Sequence, residues 1–318
     1  IKKGWITPSS SPFGAPIMFV AKPAGGFRVV CDWRALNKLT IKNRYPIPRI
    51  DETLDKLSGA TIFSSLDLNS GYFQIRISEE DAHKTAFTTP MGQYEFKVLG
   101  QGLVNSPATF QAVMNRLFKD QIARKCLVVY LDDIMIFGKD PETHYADVKQ
   151  VLEILRKEKF YAKLSKCSFN QTEVQFLGHL VGRDGIKVNP KKIEVVKNWP
   201  QPKDVKQIRQ FLGLTNYFRR FIQGYSAITA PLMELVRKGI DFSQSWHQPQ
   251  EEAFQKLKEA LTTAPVLVLP DFEKAFEVVS DASLLGTGAI LMQEGRVVGY
   301  TSKKFSDAEK KYTTTEIQ

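Results

Sequence analysis

The stretch "VVYLDDIMIF", Val128 to Phe137, sets two adjacent aspartates, Asp132 and Asp133, between two strongly apolar, β-prone runs. Such runs read as two strands, and the charges between them as the tip of a hairpin. Aspartate favours turns because its short side chain bonds its own backbone, so an ordinary turn explains the doublet. A bound metal ion explains it as well. Within this stretch alone both explanations stand.

A third carboxylate narrows the choice. "TIFSSLDL", Thr61 to Leu68, reads as another strand, with Phe63, Ser65 and Asp67 on one face and Ile62, Ser64, Leu66 and Leu68 on the other. If the two strands are neighbours in one sheet, Asp67, Asp132 and Asp133 meet at one end. Carboxylates so grouped repel one another unless protonated or neutralised by a cation. Mg²⁺, a hard ion that takes oxygen ligands, is the natural candidate, and two such ions about 3.5–4 Å apart support in-line phosphoryl transfer.

The surrounding pattern predicts an α+β sandwich with helices behind an antiparallel sheet. A strand ending at Ala21, a Gly25-Gly26 turn and a strand Phe27–Val30 form one hairpin, and "KTAFTTPMGQYEFKVL" forms a second that turns near Met91-Gly92. Ser106-Pro107 opens a helix, serine as cap and proline at the first helical position, with Phe110, Val113, Met114, Leu117 and Phe118 as its buried stripe. Asp140-Pro141 opens another, with Val148, Val151, Leu152 and Leu155 inward. From about Asp184 the chain becomes basic and helical, with starts at Asn189-Pro190 and Asp204. Between Arg183 and Arg220 it carries ten Lys or Arg against three acids. A solvated helix face accounts for that charge as well as a polyanionic partner does. A linker helix follows in "SWHQPQEEAFQKLKEAL". Three strands come next, "AFEVVSDAS", "GTGAILMQ" and "GRVVGYTSKKF", and then a helix start with Ser306 and Glu309 in capping-box spacing.

Composition sets outer limits. The 318 residues carry a net charge of +10, which favours a polyanionic partner without naming one. Cys31, Cys126 and Cys167 lie far apart with no zinc-binding spacing, and so sparse and odd a count fits a reducing compartment. No apolar run approaches the roughly 20 residues that a membrane span needs, so no membrane partner is expected. A chain that starts at Ile1 and ends at Gln318 within a helical pattern reads as a piece of a longer polyprotein.

The chain resembles the reverse transcriptases of retroviruses and of gypsy-type long-terminal-repeat retrotransposons. "FRVVCDWRALNK", "RYPIPRIDETLDKLSGATIFSSLDLNSGYFQI", "KTAFTTPMGQYEFKVLGQGLVNSPATFQ", "YLDD", "QFLGHLV", "FLGLTNYFRRFI" and "VSDAS" occur in that family's order, essentially from end to end. The resemblance implies a right-hand polymerase followed by the truncated start of a ribonuclease H-like α/β domain. Its divisions are fingers and palm at 1–185, thumb at 186–245, linker at 246–272 and ribonuclease H-like residues at 273–318. It implies RNA- and DNA-directed DNA synthesis from dNTPs on a primed template, with Mg²⁺ as cofactor and Mn²⁺ as a substitute. It also implies a cytoplasmic, particle-associated setting.

Carried over position by position, Asp67, Asp132 and Asp133 match the metal ligands, joined by the backbone carbonyl of Leu68. Tyr72 matches the aromatic gate against a ribose 2′-hydroxyl, and Lys22 and Arg28 the triphosphate-binding pair. Gln101 and Gly102 match the segment along the nucleotide, and Lys166 a lysine that protonates pyrophosphate. Phe176, Leu177, Gly178 and His179 match the primer grip. Gly100 stands where the family carries proline, which predicts a looser loop. Asp281 and Glu316 match two of the four acids of a ribonuclease H, so hybrid cleavage is not expected of this chain. The competing reading is a catalytically inactive, nucleic-acid-binding relic. An RNA-synthesising polymerase is opposed by Tyr72.

Overall fold

A computed structural model describes residues 1–21, 25–237, 239–283, 286–306, 308–309 and 312. The chain divides into two compact units: residues 1–56 with 61–171, and residues 57–60 with 172–318.

The first unit begins with strands β1 (Ile6–Pro8), β2 (Ala15–Ala21) and β3 (Phe27–Cys31), then helices α1 (Arg34–Leu39) and α2 (Ile50–Asp55). Strand β4 (Ile62–Asp67), the short helix α3 (Glu79–Ala82) and strands β5 (Phe87–Thr89) and β6 (Gly92–Phe96) follow. Next come α4 (Ser106–Leu117), α5 (Lys119–Ala123), β7 (Leu127–Tyr130), β8 (Asp133–Gly138), α6 (Pro141–Lys157) and β9 (Ser168–Gln171). One sheet has the order β1-β6-β5-β2-β3, with β2 and β5 parallel where an antiparallel sheet was expected. The other, β7-β8-β4-β9, is antiparallel throughout.

That second sheet explains why "VVYLDDIMIF" shows no apolar–polar alternation. Ile134 and Ile136 join the cluster formed with Phe110, Met114 and Phe118 and with Val148, Val151 and Leu155 of α6, while Met135 and Phe137 are buried too. A sheet covered on both faces needs apolar residues at successive positions.

Helix starts follow capping chemistry, with one correction. Asp140, Asn189 and Asp204 each accept a backbone N–H from the first turn of their helices, as expected. Ser106 does not cap α4: Asn105 holds the cap position, and the buried Ser106 hydroxyl donates to the Gly100 carbonyl. The stripes shift as well. Leu152 is 40% exposed, whereas His144 and Asp147 are buried on the same helix.

The second unit contains β10 (Glu173–Phe176), β11 (His179–Gly182) and β12 (Gly185–Val188) as one antiparallel sheet. Helices α7 (Pro190–Lys197), α8 (Val205–Tyr217), α9 (Tyr225–Glu234), α10 (Phe242–Ser245) and α11 (Gln248–Thr262) follow. Strands β13 (Glu277–Ser283), β14 (Gly286–Gln293) and β15 (Arg296–Lys304) close the chain as a second antiparallel sheet. Helix α11 buries Ala253, Phe254, Leu257 and Leu261 and packs against α7 and α9. Ser306 and Glu309 make both bonds of the expected capping box.

Candidate active site

The register of two strands brings the first two acids together. Asp67 ends β4 and pairs directly with Asp133, the first residue of β8. Tyr130 pairs with the same Asp133 from the other side, so Leu131 and Asp132 form a two-residue turn. Leu131 carries it with φ +54°, a left-handed conformation that costs a non-glycine residue about 1–2 kcal/mol. Like charges set opposite each other across a ladder also destabilise a sheet. The hairpin tip therefore holds two unfavourable features at once.

The electrostatics record the crowding. Desolvation, then the charges of Asp132 and Asp67, push the Asp133 carboxyl up to about 6, and Lys166 opposes them. Asp133 keeps an exposed edge, so water tempers the repulsion. Lys166 Nζ donates to Asp67 Oδ2 at 3.0 Å and serves as the cation already in place. Among the described residues, no group of three His, Cys, Asp or Glu is gathered so that it could hold a metal ion as the side chains stand. The backbone sets Asp67 against Asp133, while the Asp67 carboxylate is engaged by Lys166. The donor set nonetheless fits a hard cation, being carboxylate oxygens beside a lysine that such an ion could displace.

Tyr72 lies one turn beyond Asp67, in the 3₁₀ segment Gly71–Gln74. Its ring sits 4.9 Å from that of Phe110, and burial, followed by the Asp132 charge, raises its hydroxyl pKa. Gly71 packs closely here: a Cβ would come within 3.1 Å of the Phe110 ring, which would have to shift by a few tenths of an ångström. Leu68 is buried and bridges to Ala162.

The loop before α4 is better tethered than glycine at position 100 predicts. Trp33 Nε1 donates to the Gln101 carbonyl at 3.0 Å, and Asn37 bonds both the Gly102 carbonyl and the Val104 N–H. With Ser106 on Gly100, neighbouring side chains supply the restraint that proline would have given. Gly102 has φ +89° and lies against Trp33, where a Cβ would come within 3.2 Å.

In the second unit, Leu177 and Gly178 form the turn between β10 and β11, both with positive φ, as a two-residue hairpin prefers. The Leu177 carbonyl accepts from Tyr217 Oη and lies 2.7 Å from His179 Nδ1. The buried His179 ring stacks on Phe221 and contacts Tyr217 and Phe218. Phe176 is buried. Asp281 lies exposed on β13, opposite Gly288. Lys22 and Glu316 lie outside the described residues. Arg28 is placed by its backbone, opposite Val20.

Sequence reasoning missed Gln111, which is fully buried on α4 and bonded to the carboxylate turn. Its only signal is a polar residue inside the apolar stripe "TFQAVM". It also missed Trp33 and Asn37, which are visible only once the loop folds over them.

Residues 20–181 match the family model described as reverse transcriptase (RNA-dependent DNA polymerase). Residues 246–318 match the RNase H-like domain found in reverse transcriptase. The chain is 41% identical to the retrovirus-related Pol polyprotein from transposon 297 of Drosophila melanogaster, over 99% of this chain and 30% of that protein. It is 37% identical to the transposon Tf2-3 polyprotein of Schizosaccharomyces pombe, over 99% of this chain and 24% of that protein. It thus spans a third or less of the length of these curated relatives. Among solved structures it resembles the foamy viral protease–reverse transcriptase dRH in complex with double-stranded DNA. That match has a TM-score of 0.91 and 28% identity, over 99% of this chain and 56% of the other. The foamy viral protease–reverse transcriptase with an RNA/DNA hybrid matches with a TM-score of 0.90 and 27% identity, over 99% and 43%. The fold class expected from the sequence, an α+β right-hand polymerase with the start of a ribonuclease H-like domain, is borne out. Among the described residues no helix is long and apolar enough to cross a membrane.

Proposed function

The chain belongs to the reverse transcriptase family, and from that membership we propose that it extends a primer on an RNA or DNA template by two-metal phosphoryl transfer from dNTPs. The observation that carries this reading is the direct backbone pairing of Asp67 with Asp133 beside Asp132, a like-charge juxtaposition that a bound cation would relieve.

Asp67, Asp132 and Asp133, with the Leu68 carbonyl, would hold a pair of Mg²⁺ ions, and Mn²⁺ could replace them. Bound there, the ions would make the primer 3′-hydroxyl more acidic and neutralise charge on the triphosphate and the departing pyrophosphate. Lys22 and Arg28 neutralise the remaining phosphate charge. Lys166 Nζ, released from Asp67, can give a proton to the leaving pyrophosphate. Tyr72 presents its ring where a 2′-hydroxyl would lie and thereby selects deoxynucleotides. Gln101 and Gly102, on their tethered loop, line the nucleotide. Phe176, Leu177, Gly178 and His179 hold the primer end. Exposed lysines of α7 and α8 grip duplex phosphates without reading sequence. In this reading residues 1–185 are fingers and palm, 186–245 thumb, 246–272 the connecting segment and 273–318 the ribonuclease H-like portion.

The deciding experiment is extension of a labelled DNA primer on an RNA template with Mg²⁺ and dNTPs. Extension that is lost with EDTA supports the reading. Tight binding of primer–template without extension would mark the chain as an inactive relic.

A further inference from the structure

The turn that carries Asp132 is held from outside its own sheet. Strand β7 is the edge of the order β7-β8-β4-β9. Since Tyr130 pairs with Asp133, the backbone groups of Val129 and Leu131 on the far side of β7 have no strand to meet. Gln111 meets them instead. Its Oε1 accepts the Leu131 N–H at 2.8 Å and its Nε2 donates to the Val129 carbonyl at 3.1 Å. One side-chain amide thus takes the place of a strand residue and brackets Tyr130. The same Nε2 donates to Asn115 Oδ1 at 2.9 Å, and Asn115 Nδ2 donates to Tyr45 Oη at 2.9 Å. The Leu131 N–H only donates and the Val129 carbonyl only accepts, so these two groups fix which end of the amide faces which, and Asn115 and Tyr45 brace it from behind.

We propose that Gln111 is a positioning residue for the metal-binding carboxylates, holding Leu131 in its left-handed conformation and so fixing where Asp132 and Asp133 project. Asn115 and Tyr45 brace its amide from behind. The inference rests on the proposed polymerase reading and adds a residue to that site. The two-residue turn closed by Tyr130 and Asp133 calls for a left-handed residue where leucine incurs a penalty, and the hydrogen bond from the Leu131 N–H to Gln111 offsets part of that cost. Being an amide, Gln111 accepts and donates together without a charge, which neither an ionised glutamate nor methionine can do. Groups that orient metal ligands from behind alter metal affinity when removed, by about 10- to 100-fold.

The test pairs Gln111→Met, which keeps the volume and removes the amide, with Tyr45→Phe, which removes one hydroxyl and leaves the fold intact. Mn²⁺ binding is read by the loss of the free-ion electron paramagnetic resonance signal, without nucleotide. The Mg²⁺ concentration for half-maximal extension is read separately. For Gln111→Met, Mn²⁺ binding should weaken and the Mg²⁺ midpoint rise, each about tenfold or more, with extension restored at high metal. Tyr45→Phe should shift both in the same direction by a smaller factor. A Gln111→Met protein that melts earlier but binds Mn²⁺ like the parent overturns the proposal, because Gln111 would then only fill space. If that variant does not fold, an unshifted Tyr45→Phe overturns it alone. A parent chain that binds no Mn²⁺, or binds it equally well as Asp132→Asn, overturns the underlying metal reading and the proposal with it. That result differs from a defect confined to Gln111→Met.

Discussion

Asp67 and Asp281 each sit on a strand of an antiparallel sheet, one in each unit, and the sequence resemblance assigns each to a metal-binding position. Their neighbours across the ladder differ. Asp67 faces Asp133, with Lys166 already drawn onto it. Asp281 faces Gly288 on a strand with most of its residues exposed. The first arrangement costs stability, because like charges directly opposite each other repel by a few tenths to about 1 kcal/mol. The second costs nothing, so its presence says little about use. A carboxylate kept against an electrostatic penalty is stronger evidence of function than one kept for free.

The largest expected effect tests that contrast directly. Asp67→Asn or Asp132→Asn should lower primer extension by about a thousandfold or more, equivalent to about 4 kcal/mol of transition-state stabilisation. Primer–template affinity, read by fluorescence anisotropy, should stay near that of the parent. Asp281→Asn should leave extension unchanged. The parent chain should also leave the RNA of a labelled RNA/DNA hybrid intact. Hybrid cleavage that disappears in Asp281→Asn would break the comparison outright.

Next in size, Tyr72→Val should erode discrimination against NTPs by about tenfold or more, equivalent to about 1.4 kcal/mol of lost steric selection. Single-nucleotide incorporation measures it. The motive is the ring's contact with Phe110 together with its closeness to the Asp132 charge. An unchanged dNTP-to-NTP ratio would confine the function of the first site to its carboxylates.

A smaller effect sharpens the electrostatic half of the contrast. The Asp133 carboxyl titrates near 6 in the fold against about 3.9 when unfolded. A raised carboxylate pKa favours the fold while the proton is bound. Stability from this group is therefore complete below about pH 4 and gone once the pH has risen past about 6. Asp133→Asn, never charged, should melt above the metal-free parent at pH 7 by a few degrees at most and match it near pH 4. Thermal melts across that window, with EDTA present, provide the check. A parent whose stability is flat from pH 4 to 6.5 would mean that solvent screens the pair completely.

The smallest effect concerns what the second unit adds. Lys192 is exposed, whereas Lys187 is already paired with Glu173 at 3.0 Å. Lys192→Gln should lower the slope of log affinity for primer–template against log salt by about one. Lys187→Gln should change it less. Equal slopes for all three proteins would reduce this basic face to ordinary solvated charge.

Much of this was legible in the chain. Capping at Asp140, Asn189 and Asp204 is local chemistry, and the residues that perform it are adjacent in sequence. The positive φ at Gly25 and Gly26, the Pro90-Met91 turn beside the expected Met91-Gly92, and the doublet tip are set by short-range backbone preference. Where sequence reading failed, the deciding partner was distant. Ser106 looks like a cap until Gly100 folds within reach of its hydroxyl. Leu152 looks buried by its spacing, yet the face of α6 turned inward includes His144, whose Nε2 lies 2.7 Å from the Ser64 hydroxyl.

The sequence by itself determined the hairpins β2–β3, β5–β6 and β7–β8, the strands β4 and β13 to β15, the helices α4, α6, α7, α8 and α11, the motif order that marks the family, and the three aspartates as candidates, because each depends on spacing along the chain. Strands β1 and β9 to β12 were not legible. Only the tertiary structure decided that Asp67 stands opposite Asp133, that Lys166 occupies Asp67, and that Gln111 closes the open edge beside Tyr130. Those facts join residues 66, 99 and 20 positions apart. Register between distant strands and the reach of one buried amide are settled by packing, which local spacing does not encode.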